Sequence, residues 1–215
     1  MRASLADQGG GSAALSGCSL AIALGANLPS PAGSPLATLL ALRPLLELQL
    51  RLWAAPDALQ LHWSPLFRSA PVGGPADQPD YLNAVVLVAG AAAAPDPTRA
   101  VALLHQLQEL ERRFGRERRE RWGPRSLDLD LLWWGGLHLA GESLELPHPR
   151  WSQRGFVLAP LQAIERRLGQ PLLLPDPDVR LPQLIQALGG VVAFTGLAKA
   201  DDWPEPLPGR AGWPE

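Results

Sequence analysis

The twelve residues Arg121-Trp122-Gly123-Pro124-Arg125-Ser126-Leu127-Asp128-Leu129-Asp130-Leu131-Leu132 decide both the fold and the chemistry of this chain. From Leu127 onwards, apolar and acidic residues alternate and then give way to an apolar run, which predicts a strand entering a sheet. Side chains at i and i+2 of a strand share a face, so Asp128 and Asp130 are predicted to point the same way. Such paired carboxylates resist ionising together unless a hard cation neutralises them. Because Mg²⁺ is usually held by one or two carboxylates plus substrate phosphates, the pair predicts a magnesium site and a phosphorylated ligand.

Arginines crowd the residues before this strand. Between Glu111 and Arg125 there are seven arginines and three glutamates, a local charge of about +4, whereas the whole chain carries −2. Guanidinium groups match phosphate oxygens and stay charged at any working pH. Each feature alone has a simpler explanation, since Asp-x-Asp is common on the wet face of a strand and an arginine run is commonly a solvated helix face or an RNA contact. Together they favour a metal and phosphate site.

The composition is that of a soluble globular protein. With 215 residues, 47% of them hydrophobic and 19% charged, the chain is long enough for one domain with tails. Its net charge of −2 argues against a general nucleic-acid binder, and its single cysteine, Cys18, excludes an internal disulfide. The sequence has no apolar run that could span a bilayer and no signal-peptide pattern at its start. We therefore expect a cytoplasmic protein without membrane contact.

Six elements make up the predicted core. Their order is strand, helix, strand, strand, helix, strand, which is typical of a ferredoxin-like βαββαβ fold of the α+β class, with a mainly antiparallel sheet flanked by helices. The strands are predicted over residues 19–24, 59–63, 81–89 and 127–133, and the helices after Ser34 and over residues 98–114.

Local signals refine this outline. Pro44 is predicted to kink or end the first helix, and Gly115 to end the second. Residues 68–79 are rich in glycine and proline and should form a loop, while Gly135-Gly136 predicts a hairpin turn to a strand at 137–139. Further helices are predicted over residues 151–166 and 181–188. We expect a disordered extension over residues 1–17, the folded domain over 18–190, and a Pro/Trp-rich tail over 191–215.

The stretch from Arg121 to Leu132 resembles the signature of the 6-hydroxymethyl-7,8-dihydropterin pyrophosphokinase family, and the resemblance extends over roughly residues 19–188. It implies transfer of the terminal diphosphate of ATP to the hydroxymethyl group of a reduced pterin, with release of AMP, in folate biosynthesis. It also implies ATP as co-substrate and two Mg²⁺ ions bound by Asp128 and Asp130. A monomer acting on small molecules is expected, with no nucleic-acid partner.

The resemblance also assigns roles to individual residues. The catalytic residues would be Arg116, Arg125, Asp128 and Asp130. ATP would be bound by Gln108, Glu111, Arg118, Arg121, Trp122, Leu131, His148 and Arg154. The pterin would be bound by Ser69, Val72, Tyr81, Asn83 and Phe156, with Tyr81 and Phe156 stacking on opposite sides of its flat ring.

Two other functions fit parts of the pattern. A nucleotidyltransferase also uses paired aspartates and Mg²⁺ but would release pyrophosphate instead of AMP. An RNA-binding module could use the arginine run with Trp122 for stacking, and its affinity would then fall steeply with salt and be independent of Asp128.

Overall fold

The computed structural model describes residues 19–54, 59–90, 94–117, 123–189, 198–200 and 203. Several sequence predictions concern residues outside these ranges, namely the extension over 1–17, Cys18 and the ATP contacts Arg118, Arg121 and Trp122.

Eight strands and four α-helices are found among the described residues. The strands are β1 (Leu20–Ala26), β2 (Gln60–Trp63), β3 (Leu66–Ser69), β4 (Tyr81–Ala89), β5 (Asp128–Trp134), β6 (Leu139–Ala140), β7 (Glu145–Leu146) and β8 (Ala198–Ala200). The helices are α1 (Pro35–Trp53), α2 (Pro97–Arg113), α3 (Gly155–Leu168) and α4 (Leu181–Ala187), with a short 3-10 helix at Trp151–Gln153.

The main sheet is antiparallel and has the order β5-β1-β4-β3-β8, with β2 also paired to β4. Strands β2 and β3 lie end to end along β4, so together they take the place of one strand in a ferredoxin-like sheet. The predicted α+β class is therefore confirmed. Helix α1 begins as predicted, with Ser34 as its cap and a proline after it. Helix α2 begins at Pro97, one residue before the predicted start, and is capped by Asp96.

Both faces of the sheet are covered by helices. Helices α1 and α2 pack on the face where Ile22 and Leu24 are buried. Helices α3 and α4 cover the other face, where Ala21, Val85 and Trp133 are buried. Because successive strand residues point to opposite faces, this alternation fixes which side chains meet α3.

The first helix was predicted to kink or end at Pro44, and it does not end there. Helix α1 continues past Pro44 to Trp53. The side chains of Leu39, Leu42, Leu46 and Leu50 are fully buried along it. Each contributes roughly 1.5 to 3 kcal/mol, which together outweighs the roughly 3 kcal/mol that an interior proline costs.

The structure also differs from the sequence analysis at two places in the sheets. Strand β3 was not predicted, because Pro65 interrupts the apolar pattern between β2 and β3. The segment after Gly135-Gly136 does not return along β5; β6 pairs with β7 in a separate two-stranded sheet instead. Among the described residues, no helix is both long and apolar enough to cross a membrane.

Candidate active site

A cavity of about 430 Å³ opens at one end of the sheet face that α3 covers. Farther along this face the sheet carries larger buried side chains such as Leu87 and Trp133. At the cavity, the β1 residues on this face are the small residues Ala23 and Gly25, and the intervening Leu24 adds to the lining. Small residues at the centre of the sheet therefore leave the space that the cavity occupies.

Three neighbouring strands bring polar groups to one wall of this cavity. Gly25 of β1 pairs with Asn83 of β4 on one side and with Asp128 of β5 on the other. A Cβ atom on Gly25 would lie 3.2 Å from Asn83 Oδ1 and 3.7 Å from Tyr81 Cδ1. The absence of a side chain at this position is thus needed for the approach of its neighbours. Asn83 is itself held in place, because its Nδ2 donates to Ser69 Oγ at 2.8 Å.

The cavity also has an apolar and aromatic part to its lining. Phe156, in the first turn of α3, lines the cavity, as do Tyr81 and the loop from Ala70 to Gly73. The Tyr81 hydroxyl donates to the Gly123 carbonyl at 3.2 Å, and burial raises its pKa. An aromatic, partly polar cavity of this kind fits a flat heterocycle.

Asp128 is the centre of an arginine cluster. Its Oδ1 lies 2.6 Å from Arg116 Nη1, and its Oδ2 lies 3.0 Å from Arg125 Nη1. Arg116 also pairs with Glu111, whose carboxylate is almost fully buried and accepts a hydrogen bond from Leu129 N at 2.8 Å. Glu111 therefore fixes the last turn of α2 and Arg116 to the backbone of β5.

Asp130 has a different environment, although it lies on the same face two residues later. Arg154 Nη1 donates to its Oδ2 at 3.1 Å, and His148 Nε2 lies 3.9 Å from the same oxygen. Burial and the nearby Asp128 carboxylate raise the pKa of Asp130 to about 6. Burial and the Arg154 charge lower the pKa of His148, which favours its neutral form. The two aspartates therefore lie on one face of β5, as predicted, and each of them contacts at least one arginine.

Asn27 connects the two loops that border the site. Its side-chain oxygen accepts a hydrogen bond from Arg125 N at 2.8 Å, and its Nδ2 donates to the Pro79 carbonyl at 3.0 Å. The backbone N–H groups of Asn27 and Leu28 both donate to the Arg125 carbonyl. Arg125 is therefore held by a residue 98 positions earlier in the chain. The sequence gives no signal for this contact apart from a turn after β1.

The structure brings most of the predicted residues together. Nine of them line the cavity: Ser69, Val72, Tyr81, Asn83, Arg125, Asp128, Asp130, Arg154 and Phe156. Arg116, Glu111 and His148 lie behind this lining, in contact with the two aspartates or with each other. Leu131 is buried in the core on the sheet face that α1 and α2 cover, and Gln108 lies half-buried on α2. Sequence reasoning missed the lining residues Gly25, Gln78, Arg150 and Gln153.

Fold and site together define a class of α+β protein in which a carboxylate and arginine cluster borders an aromatic cavity. A family model described as 7,8-dihydro-6-hydroxymethylpterin-pyrophosphokinase (HPPK) matches residues 21–166. The chain therefore belongs to this family.

Individual relatives agree with this assignment. A 2-amino-4-hydroxy-6-hydroxymethyldihydropteridine pyrophosphokinase from Pseudomonas aeruginosa is 39% identical over 77% of this chain and 89% of the relative. The protein of that name from Haemophilus influenzae is 35% identical over 74% of this chain and 86% of the relative. For the Synechocystis protein of the same name, the identity is 43% but the match spans only about half of each chain, 47% and 48%.

A solved structure is similar in fold. A triple mutant of Plasmodium falciparum HPPK-DHPS with pteroate superposes with a TM-score of 0.50 over 85% of this chain and 46% of that chain. At 12% identity, this likeness concerns the fold alone.

Proposed function

We propose that this protein transfers the diphosphate of ATP to the hydroxymethyl group of 6-hydroxymethyl-7,8-dihydropterin, giving AMP and the pterin diphosphate. The observation that carries the proposal is the position of the Asp128 and Asp130 pair at the wall of an aromatic cavity large enough for a bicyclic ring. Family membership and the names of the relatives support the same reaction. This places the protein in folate biosynthesis.

The pterin ring occupies the cavity between Tyr81 and Phe156. The Asn83 amide offers both a donor and an acceptor to the ring edge, and its contact with Ser69 fixes the amide orientation. Val72 is 75% exposed on the neighbouring loop, so its side chain is available to cover the ring. The hydroxymethyl group then points towards the aspartates, where the reaction takes place.

The donor set at the aspartates fits Mg²⁺. Two carboxylates on one strand face match an ion that is held by one or two carboxylates together with phosphate oxygens and water. Among the described residues no cluster of three or more His, Cys, Asp or Glu side chains forms a metal site made by protein alone, so substrate phosphates would complete the coordination. When bound, Mg²⁺ would neutralise phosphate charge and lower the pKa of the acceptor hydroxyl. Asp128 and Asp130 would hold it.

The arginines hold the triphosphate. Arg116 and Arg125 contact Asp128, and Arg154 contacts Asp130. Guanidinium groups bind phosphate oxygens as well as carboxylates, so each arginine can bind phosphate while its aspartate binds metal. Catalysis by such a site comes from positioning and charge neutralisation.

The bond changes follow from this placement. The hydroxyl oxygen of the pterin attacks the β-phosphorus of ATP, and the bond from that phosphorus to the oxygen bridging the α and β phosphates breaks. AMP leaves with this oxygen, and the arginines stabilise its negative charge. The hydroxyl proton passes to the Asp130 carboxylate.

The test is to incubate the protein with ATP, Mg²⁺ and the pterin, and to separate the nucleotides. AMP that appears only when the pterin is present supports the proposal. ADP as the product, or AMP formed equally without pterin, contradicts it. A matched reaction with Asp130→Asn controls for contaminating enzymes, because this variant should form no AMP.

A further inference from the structure

Strand β8 and Trp203 lie beyond the part of the chain that the family model matches, which ends at residue 166. Both nevertheless contact the core of the site's scaffold. Strand β8 pairs with β3 in antiparallel register, from Leu66↔Ala200 to Arg68↔Ala198. It thereby covers an edge of β3 that would otherwise have unpaired backbone groups.

Trp203 makes three contacts at the turn between β2 and β3. Its Nε1 donates to the Ser64 carbonyl at 2.8 Å. Its ring packs edge-on against Trp63, with 5.3 Å between the ring centroids. The Arg43 guanidinium lies 5.1 Å from the centroid of Trp63 and 5.2 Å from that of Trp203, which joins α1 to the same cluster.

The turn that Trp203 contacts is closely tied to the site. Ser64 is fully buried, and its N–H and Oγ both bond to the backbone of Val85 on β4. Strand β3 follows and pairs Ser69 with Tyr81 and Phe67 with Asn83. The loop that lines the cavity, Ala70 to Gly73, continues directly from β3. Any movement of β3 would therefore move the ring-binding side of the cavity.

We propose that β8 and Trp203 form a C-terminal latch that holds β3 in place and so positions the ring-binding loop. Trp203 is the positioning residue of this latch and touches neither substrate. Strand β3 has only four residues and three paired positions with β4, so by itself it would be prone to fraying. Its edge pairing with β8 and the contacts of Trp203 keep Ser69 opposite Tyr81. The kinetic consequence rests on the proposed function, whereas the structural one does not.

The first readout is amide hydrogen exchange of the ligand-free, full-length protein. In Trp203→Ala, the amides of residues 66–73 other than Pro71 should exchange about tenfold faster, because a part-buried hydrogen bond and an aromatic contact are lost together. The amides of β1 and β5 should exchange as in the wild type. Trp203→Phe keeps the ring contact and removes the donor, so it should give a smaller increase. Leu52→Ala, which removes an apolar side chain that is 74% exposed on α1, is the control and should have no effect.

The second readout is steady-state kinetics of the same variants. The KM for the pterin should rise about fivefold in Trp203→Ala, while kcat and the KM for ATP stay within about twofold, because only the ring-binding loop is loosened. The latch is refuted if amide exchange over residues 66–73 is unchanged in Trp203→Ala. It is also refuted if the exchange rates rise equally in all strands. Faster exchange without a change in pterin KM overturns the positioning role. If the wild type forms no AMP, the proposed function fails, but the exchange experiment still tests the latch.

Discussion

Replacing Asp130 with asparagine should stabilise the ligand-free protein above about pH 6. Burial and the neighbouring Asp128 carboxylate raise the pKa of Asp130 from 3.8 to about 6. The folded state therefore holds this proton more tightly than the unfolded chain does. Its contribution to stability is fully present below about pH 4 and is lost as the pH rises through about 6. An asparagine cannot ionise, so the variant does not lose this stability as the pH rises.

The size of the effect follows from the pKa. A rise from 3.8 to about 6 corresponds to roughly 3 kcal/mol, at about 1.36 kcal/mol per pKa unit. The Asp130 side chain is 33% exposed, and solvent screens its interactions, so we expect about 1 to 2 kcal/mol. The asparagine oxygen can still accept the hydrogen bond from Arg154.

The assay is urea unfolding in EDTA at several values between about pH 4 and 8. The free energy of unfolding of Asp130→Asn should exceed that of the wild type by an amount that grows by about 1 to 2 kcal/mol over this range. Asp178→Asn, which removes a carboxylate from an exposed position, serves as the control for net charge. Parallel pH curves for wild type and Asp130→Asn would refute the reasoning.

Three other substitutions test the supports of the site. Asn27→Ala should lower the free energy of unfolding by about 2 to 3 kcal/mol in urea, because two buried hydrogen bonds are lost, one of them to Arg125. In Gly25→Ala, the new methyl would lie 3.2 Å from Asn83 Oδ1, so the KM for the pterin should rise about tenfold, as a displacement of the amide worth about 1.4 kcal/mol predicts. Arg116→Ala should lower kcat about 100-fold with a smaller change in ATP affinity, because a charge acting mainly in the transition state is removed.

Two of these substitutions have a matched comparison. Asn27→Asp keeps the acceptor for Arg125 N, so its free energy of unfolding should fall less than that of Asn27→Ala; an equal loss in both would contradict the role of that bond. An unchanged pterin KM in Gly25→Ala would show that the site tolerates the methyl group. Arg113→Ala removes a positive charge from the same helix end and should leave kcat within about twofold. An Arg116→Ala effect confined to KM would make that arginine a ground-state contact.

Local rules predicted the elements and the face on which the aspartates lie. The period of two in Leu127 to Trp133 was enough to place Asp128 and Asp130 together, because a strand leaves no other arrangement for i and i+2. Similarly, Pro35 after the capping residue Ser34 marked the start of α1. These signals lie within a few residues of the feature they predict.

The same local rules could not predict contacts between residues that are far apart in the sequence. Asn27 holds Arg125 across 98 residues, and Trp203 reaches Ser64 across 139 residues. Neither residue differs in its local sequence from one in an ordinary turn or tail. Glu111 has the pattern of an exposed residue near a helix end, but the fold buries it beside β5. Its role in holding Arg116 follows only from the packing of α2 on the sheet.

The most direct test of the account is a single-turnover reaction with ATP labelled separately at the β and γ phosphates. Attack at the β-phosphorus predicts that both labels reach the pterin in equal amounts and that the AMP formed is unlabelled. Transfer of the γ label alone, with the β label retained in ADP, would contradict the proposed reaction at this carboxylate and arginine site.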